Sequence, residues 1–264
     1  MKSPCLEVRF AVKLLLHACC GPCSLEPVRL LRESGHDITI HYANSNIHPA
    51  EEYAHRLQTL RDWAAGENLP VIEGSYDPAS WEAAAGKIGD AALAACGGRV
   101  LEQDSARREA RCRACYRLRL EETARLAAQA GFDGIGTTLS VSPYQYTEVI
   151  REEVERAAAA AGVEPVFEDF RPYYDEATRR SRELGMYRQN FCGCRISDLE
   201  AAAERDQRKA QRAAAKAAER ARYAAEHAAE AAALARRKAE RAEYNKKQAR
   251  KRAVLKALRE QGKN

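Results

Sequence analysis

Apolar and polar positions alternate in blocks along the first two thirds of the chain. Val12 to Leu16, interrupted by Lys13, read as a buried strand that ends at His17. Leu25, Val28 and Leu31 then recur at helical spacing, and Gly35 closes that segment. Residues 38–49 predict a second strand and a loop. In the next segment Tyr53, Leu57, Leu60 and Trp63 fall on one side of a helix. Residues 71–78 predict a short third strand. Residues 80–111 are weakly helical and broken by Gly, an excursion over one end of the domain. A helix is predicted from at or near Cys112 to Gly131, a fourth strand and loop over 134–145, and a helix over 146–162. A fifth strand over 163–170 and a last helix over 175–185 complete the pattern.

Short strands alternating with longer helices predict βαβ units on a parallel sheet, an α/β fold flanked by helices. In such open sheets ligands bind outside the C-terminal ends of the strands. The loop holding Cys19, Cys20 and Cys23 follows the first strand at such an end. Thr137-Thr138 and Ser142-Pro143-Tyr144 follow a later strand and are expected to face the same crevice. No run approaches the ~20 apolar residues of a membrane span, so no membrane role is expected.

The chain has 264 residues and a net charge of +5. That mean hides an asymmetry. From Glu200 to Asn264 there are 19 Lys+Arg and 9 Asp+Glu, a balance of +10, which leaves −5 on residues 1–199. The last stretch is Ala-, Lys-, Arg- and Glu-rich, with leucines too sparse for a heptad seam. It reads as a long basic helical or partly disordered tail. The expected division is therefore 1–199 as a catalytic α/β domain and 200–264 as the tail. Against the acidic body, the tail suggests an electrostatic grip on nucleic acid; a merely solvated helix is the simpler alternative.

All nine cysteines precede residue 195. An odd, clustered set fits metal or redox chemistry in a reducing compartment better than a secreted framework, so a cytoplasmic protein is expected. Lys13 interrupts the only apolar segment that precedes Cys19, which argues against a secretory leader.

Cys112-Arg113-Ala114-Cys115 is a C-x-x-C at an expected helix start. Adjacent Cys19 and Cys20 serve one small tetrahedral ion poorly, whereas a cubane offers a different iron to each. Cys19, Cys20, Cys112 and Cys115 together give four thiolates for a [4Fe–4S] cluster, aided by the N-terminal amides of two helices. Cys192-Gly193-Cys194 reads as a redox pair cycling between dithiol and a strained disulfide. Cys23 is aimed either at the same metal region or at a second iron. A zinc site remains the alternative for the C-x-x-C and the C-x-C. Cys5 and Cys96 are expected to be inert buried thiols.

The stretches "LLLHACCGPCS", "ANSNIHPAEEYAHRL", "EGSYDPASW", "CRACYRLRLEETARLA", "TTLSVSPYQ" and "GMYRQNFCGC" resemble, in order and spacing, the epoxyqueuosine reductases of the QueH type. The likeness covers about residues 11–198. It implies a Rossmann-like fold of the HUP (adenine nucleotide alpha hydrolase-like) superfamily. The Ser-Gly-Gly phosphate loop of its ATP-using members is absent, so no ATP use is expected. The implied activity is reduction of epoxyqueuosine to queuosine at the wobble position of tRNAs with GUN anticodons (Tyr, His, Asn and Asp acceptors), without cobalamin. By motif, the resemblance assigns Cys19, Cys20, Cys112 and Cys115 to the cluster and Cys192 and Cys194 to a redox-active disulfide, with an additional iron nearby. The electron donor is not implied.

Removing the epoxide oxygen takes two electrons and two protons. His17, Tyr144, Tyr187 and Asp169 are candidate proton donors by residue type. Asn44, Asn46 and His48 are candidate pocket residues, with Asx-turn chemistry an equal alternative, and His17, Asn44 and Tyr144 join Cys23 as candidates for the second iron or its pocket. Arg117 and Arg119 are expected either to meet anticodon phosphates or to lie on a solvated helix face. The rival functions are a zinc-binding tRNA-interaction module and a cluster-dependent tRNA thiolation enzyme.

Overall fold

The computed structural model describes residues 12–261, with side chains described to Leu258. Cys5 lies outside the described residues. The element order is β1 (Lys13–His17), α1 (Gly21–Glu33), β2 (Asp37–Tyr42), α2 (Ala50–Gly66), β3 (Val71–Glu73) and α3 (Pro78–Trp81). A π-helical turn over Glu82–Gly86 joins α3 to α4 (Lys87–Ala95). Then come α5 (Ser105–Ala130), β4 (Gly134–Thr137), α6 (Thr147–Ala161), β5 (Glu164–Pro165) and α7 (Tyr174–Glu183). The chain continues in α8 (Arg195–Glu226) and α9 (Ala228–Gln261).

All strand pairings are parallel, in the order β3-β2-β1-β4-β5. This is the expected α/β Rossmann-like sheet. Strand alternation builds its two apolar layers. Leu14 and Leu16 face one layer with Ile40, Leu31 and Leu60. Leu15 faces the other with Leu120, Ile135 and Ile150. The order reverses between β1 and β4, so their C-terminal ends open the crevice where such sheets bind ligands. His41, His17 and Thr137 share the last register across β2, β1 and β4.

Two elements differ from the sequence pattern. α5 begins at Ser105, capped by the Asp104 carboxylate, which accepts the Arg107 N–H at 3.1 Å. Cys112 and Cys115 therefore lie two turns or more inside the helix. Their sulfurs do not sit on its N-terminal amides. The second difference is the length of the fifth strand, which is two residues rather than eight. Pro165 offers no N–H to a ladder, and β5 is an edge strand.

The 80–111 excursion packs Trp81 and Ala85 against Cys115, Cys194 and Ile196. Gly89 permits the approach: a Cβ there would stand 2.0 Å from Ile196 Cδ1. The chain divides into two compact units between Glu204 and Arg205. Within the first unit, Glu200 accepts from Arg111 at 2.8 and 3.2 Å. The second unit is helical, with its described side chains almost wholly exposed and no core of its own.

Candidate active site

Cys20 caps α1 in an extended conformation, and Pro22 sets the first helical turn. That geometry turns three sulfurs together. The Sγ atoms of Cys19, Cys20 and Cys23 all lie within 4.8 Å of one another, with Cys19 and Cys20 at 3.9 Å. Hydrogen bonds inside the trio divide its proton affinities. Bonding to Cys20 first, then burial, raises Cys19 to about 12. Cys23 is raised by Cys19 and Cys20. Cys20 accepts from both and is held well below the ordinary thiol range. Gln189 Nε2 also donates to Cys20 Sγ at 2.9 Å. Of the three, Cys20 is the sulfur whose ionised form this arrangement favours.

Cys112 and Cys115 line one side of α5 and are not members of that trio. Burial pushes Cys112 up to about 12 and also raises Cys115. Both lie within electrostatic range of Cys192, and Cys194 lies within range of Cys192 and Cys115. Cys192 is half-buried, with Gln145 Nε2 3.6 Å from its sulfur. Tyr116 donates to the same Gln145 at 2.6 Å. Cys194 Sγ accepts the Ser197 N–H at 3.3 Å at the start of α8, and burial raises the thiol to about 11. Both cysteines of the C-x-C are free thiols here. Cys96 is half-buried and hydrogen-bonds the Leu93 carbonyl, apart from these groups.

Three buried arginines serve the cysteines, and the sequence pattern gave no sign of two of them. Arg56 is 1 % exposed; it donates to the carbonyls of Cys192 and Phe191 and pairs with Glu52. Arg111 pairs with Glu200 and lies 3.7 Å from Cys112 Sγ. Arg119, 2 % exposed, lies neither on a solvated face nor where a phosphate reaches it, contrary to both sequence expectations. Its Nη2 donates to Asn44 Oδ1 at 2.5 Å and its Nε to the Ala43 carbonyl at 3.3 Å. Its charge is felt by Cys115, Cys19 and Cys192. A hydrophilic guanidinium at an (i, i+4) step from Cys115 could have signalled this role.

The remaining candidates separate clearly. Asn44 is buried and ties Arg119 to the cysteine loop, because its Nδ2 donates to the Ala18 carbonyl at 2.9 Å. His17 is fully buried. Its Nε2 donates to the Ala43 carbonyl at 3.3 Å, so in the neutral ring Nδ1 accepts from Thr137 Oγ1 at 2.9 Å. Burial, with Arg119 and His41 nearby, holds His17 well below the usual imidazole range. It is a structural tie between strands. Tyr187 donates to Glu52 at 2.7 Å, and Asp169 is paired with Arg171. Asn46 is buried and His48 exposed. Arg117 is half-exposed and bound to Glu153. Tyr144 is 79 % exposed.

Does this set fit an iron–sulfur group? Among the described residues Arg119 makes no ion pair with a carboxylate, although it is buried among thiols. The Trp81 indole N–H is buried beside Cys115 without a hydrogen-bond partner of ordinary geometry. A buried cation and an unused donor facing thiols fit an anionic sulfur-rich group.

A parallel α/β domain with Cys19, Cys20 and Cys23 clustered just after β1, at its topological switch point, has the build of a Rossmann-like thiol or metal enzyme. The comparisons identify the family. The family model described as epoxyqueuosine reductase QueH matches residues 14–200. An epoxyqueuosine reductase QueH of Dehalococcoides mccartyi is 31 % identical over 191 residues, covering 72 % of this chain and 94 % of the relative. The same-named protein of Thermotoga maritima is 31 % identical over 192 residues, covering 71 % and 91 %. That of Staphylococcus aureus is 30 % identical over 196 residues, covering 71 % and 76 %. The chain belongs to the epoxyqueuosine reductase QueH family and is an oxidoreductase.

Proposed function

We propose that this chain reduces epoxyqueuosine to queuosine in the wobble position of tRNAs with GUN anticodons, using a [4Fe–4S] cluster and the Cys192–Cys194 pair. The observation that carries the reading is the trio Cys19, Cys20 and Cys23, whose sulfurs lie within 4.8 Å of one another just after β1, in a chain of the epoxyqueuosine reductase QueH family. Cys19, Cys20, Cys112 and Cys115 would hold the cluster, and Cys23 is the remaining sulfur of the trio for an additional iron. When bound, such a group supplies single-electron transfer and a Lewis-acidic iron for the departing oxygen.

The residues of the chain account for the rest. Epoxide plus two electrons and two protons gives alkene plus water. Oxidation of the Cys192 and Cys194 dithiol to the disulfide releases two electrons and two protons, which balances the step. An external reductant then restores the dithiol. Arg56 holds the carbonyl side of the segment, and the Ser197 N–H favours a thiolate at Cys194. Arg119 stabilises negative charge on the surrounding sulfurs. The basic 205–264 unit adds a sequence-independent attraction for tRNA. A cytoplasmic location follows from this substrate and from the use of free thiols. No described helix is long and apolar enough to cross a membrane.

The test is anaerobic turnover. Protein reconstituted with iron and sulfide is mixed with reductant and an anticodon stem-loop carrying epoxyqueuosine. Loss of one oxygen atom from the modified base supports the reading. An unchanged base with fully loaded protein rejects it.

A further inference from the structure

The rim of the crevice carries one large aromatic side chain that the core does not use. Tyr144 sits in the loop between β4 and α6 and is 79 % exposed. Among the described residues of the first unit no other large apolar or aromatic side chain is as exposed; the next are Leu184 at 56 % and Leu199 at 52 %. Burial therefore gives no reason for a tyrosine here.

Its position is defined on both sides. The adjacent residue, Gln145, reaches Cys192 Sγ and accepts from the buried Tyr116. In space, Tyr144 stands edge-on to Tyr174, with ring centroids 6.1 Å apart and planes at 83°. Cys23 lies within electrostatic range of Tyr174. Tyr144 thus stands at the surface between the cysteine trio and the C-x-C segment.

The platform is fixed in place. The turn closes through the Gln145 N–H on the Ser142 carbonyl at 3.2 Å. The Tyr144 N–H meets Ser142 Oγ at 3.4 Å. Tyr174 begins α7, which Arg180 fastens to the buried Glu26 of α1 at 2.6 Å. Tyr174 also lies in the field of Arg188. Arg188 is exposed and makes no ion pair among the described residues.

An exposed ring in a closed turn, next to the Gln145 that reaches Cys192, matches the chemistry of a single-stranded RNA loop. Unstacked bases lay their faces on aromatic rings, and arginines meet the phosphates between them. We infer that Tyr144, set on the edge of Tyr174, is a base-stacking platform for a nucleotide flanking the reacting one. The inference rests on the proposed tRNA substrate and gives it a docking point.

The test uses the full-length protein and an epoxyqueuosine-containing anticodon stem-loop, with Kd from equilibrium binding and kcat and KM from turnover. Stacking on aromatics contributes enough per base that Tyr144→Ala should raise Kd and KM by about 5- to 150-fold. Tyr144→Phe and Tyr144→Trp should bind within about threefold of the native protein, because the ring face is retained. Two results overturn the inference. One is a Tyr144→Ala protein with unchanged Kd and a reduced kcat, the behaviour of a proton donor. The other is Tyr144→Phe as impaired as Tyr144→Ala, which would place the role in the hydroxyl. Native protein that binds the stem-loop through Tyr144 without converting it would keep the platform and reject the reductase reading. Native protein that does not bind the stem-loop rejects both.

Discussion

Arg56 Nη1 donates to the Cys192 carbonyl at 2.9 Å, and this bond fastens the C-x-C segment to α2. The guanidinium also lies over the Phe191 ring, 4.9 Å from its centroid. Glu52 pairs with its Nε at 2.7 Å, and Tyr187 holds the other Glu52 oxygen. The Cys192–Cys194 segment is thus positioned by a buried side chain more than a hundred residues earlier in the chain.

Arg56→Met removes this fastening and leaves Glu52 without its cation. A loss of about 3 kcal/mol is expected from breaking a largely buried pair. Denaturant titration measures it. Cys192 should also react faster with a soluble disulfide reagent, since its backbone is no longer held. Unchanged reactivity would mean that Arg56 serves stability alone.

Gly193→Ala tests the cradle from the other side. Gly193 has φ +139°, and an added Cβ would lie 2.9 Å from Asn46 Nδ2 and 3.0 Å from Ile47 Cγ1. The expected cost is about 1–3 kcal/mol, with displacement of both flanking sulfurs. Iron content should stay at the native level while turnover falls. A protein as active as the native one would show that the loop tolerates the shift.

Acid should weaken the fold through His41. Burial holds its imidazole down to about 4, against 6.5 in an unfolded chain. The unfolded chain therefore takes up the proton first as pH falls. The contribution of His41 is complete above about pH 6.5 and is lost as pH drops toward 4. Between about pH 7.5 and about pH 5 the loss should be about 2 kcal/mol by denaturant titration. His41→Gln should flatten that slope; an equally steep slope would assign it to other groups.

The basic second unit should act on tRNA through charge alone. A chain ending at Glu204 should bind tRNA more weakly at low salt and with a shallower salt dependence. The family model ends at residue 200, so the shortened chain keeps the whole matched region. Equal affinity and slope would make the tail a solvated helix without a role in binding.

Alternation at Leu14, Leu15 and Leu16 reveals a strand buried on both faces, and helical spacing reveals α1 and α2. The cysteine motifs are local in sequence, so they were legible as chemistry. Their setting was not. Residues 105–111 are good helix formers, but the Gly-rich excursion before them hid the Asp104 cap and with it the true start of α5. Arg56 and Arg119 are polar side chains on amphipathic helices, and a pattern reading puts such residues in solvent. Only tertiary packing turns them inward, toward partners from distant elements. Tyr144 is expected in the crevice from its place after a strand, and as a proton donor from its residue type, and neither carries its exposure.

The most direct measurement is the iron and acid-labile sulfide content of anaerobically prepared protein, with its absorbance spectrum, for the native chain and for Cys112→Ala and Cys194→Ala. The native chain should be brown, with a broad band near ~400 nm and about four or more irons matched by sulfide. Cys112→Ala should lose that iron, whereas Cys194→Ala should keep it and fail to convert epoxyqueuosine. A colourless zinc protein that stays inert after reconstitution would contradict the iron–sulfur reductase and leave the cysteines a structural role.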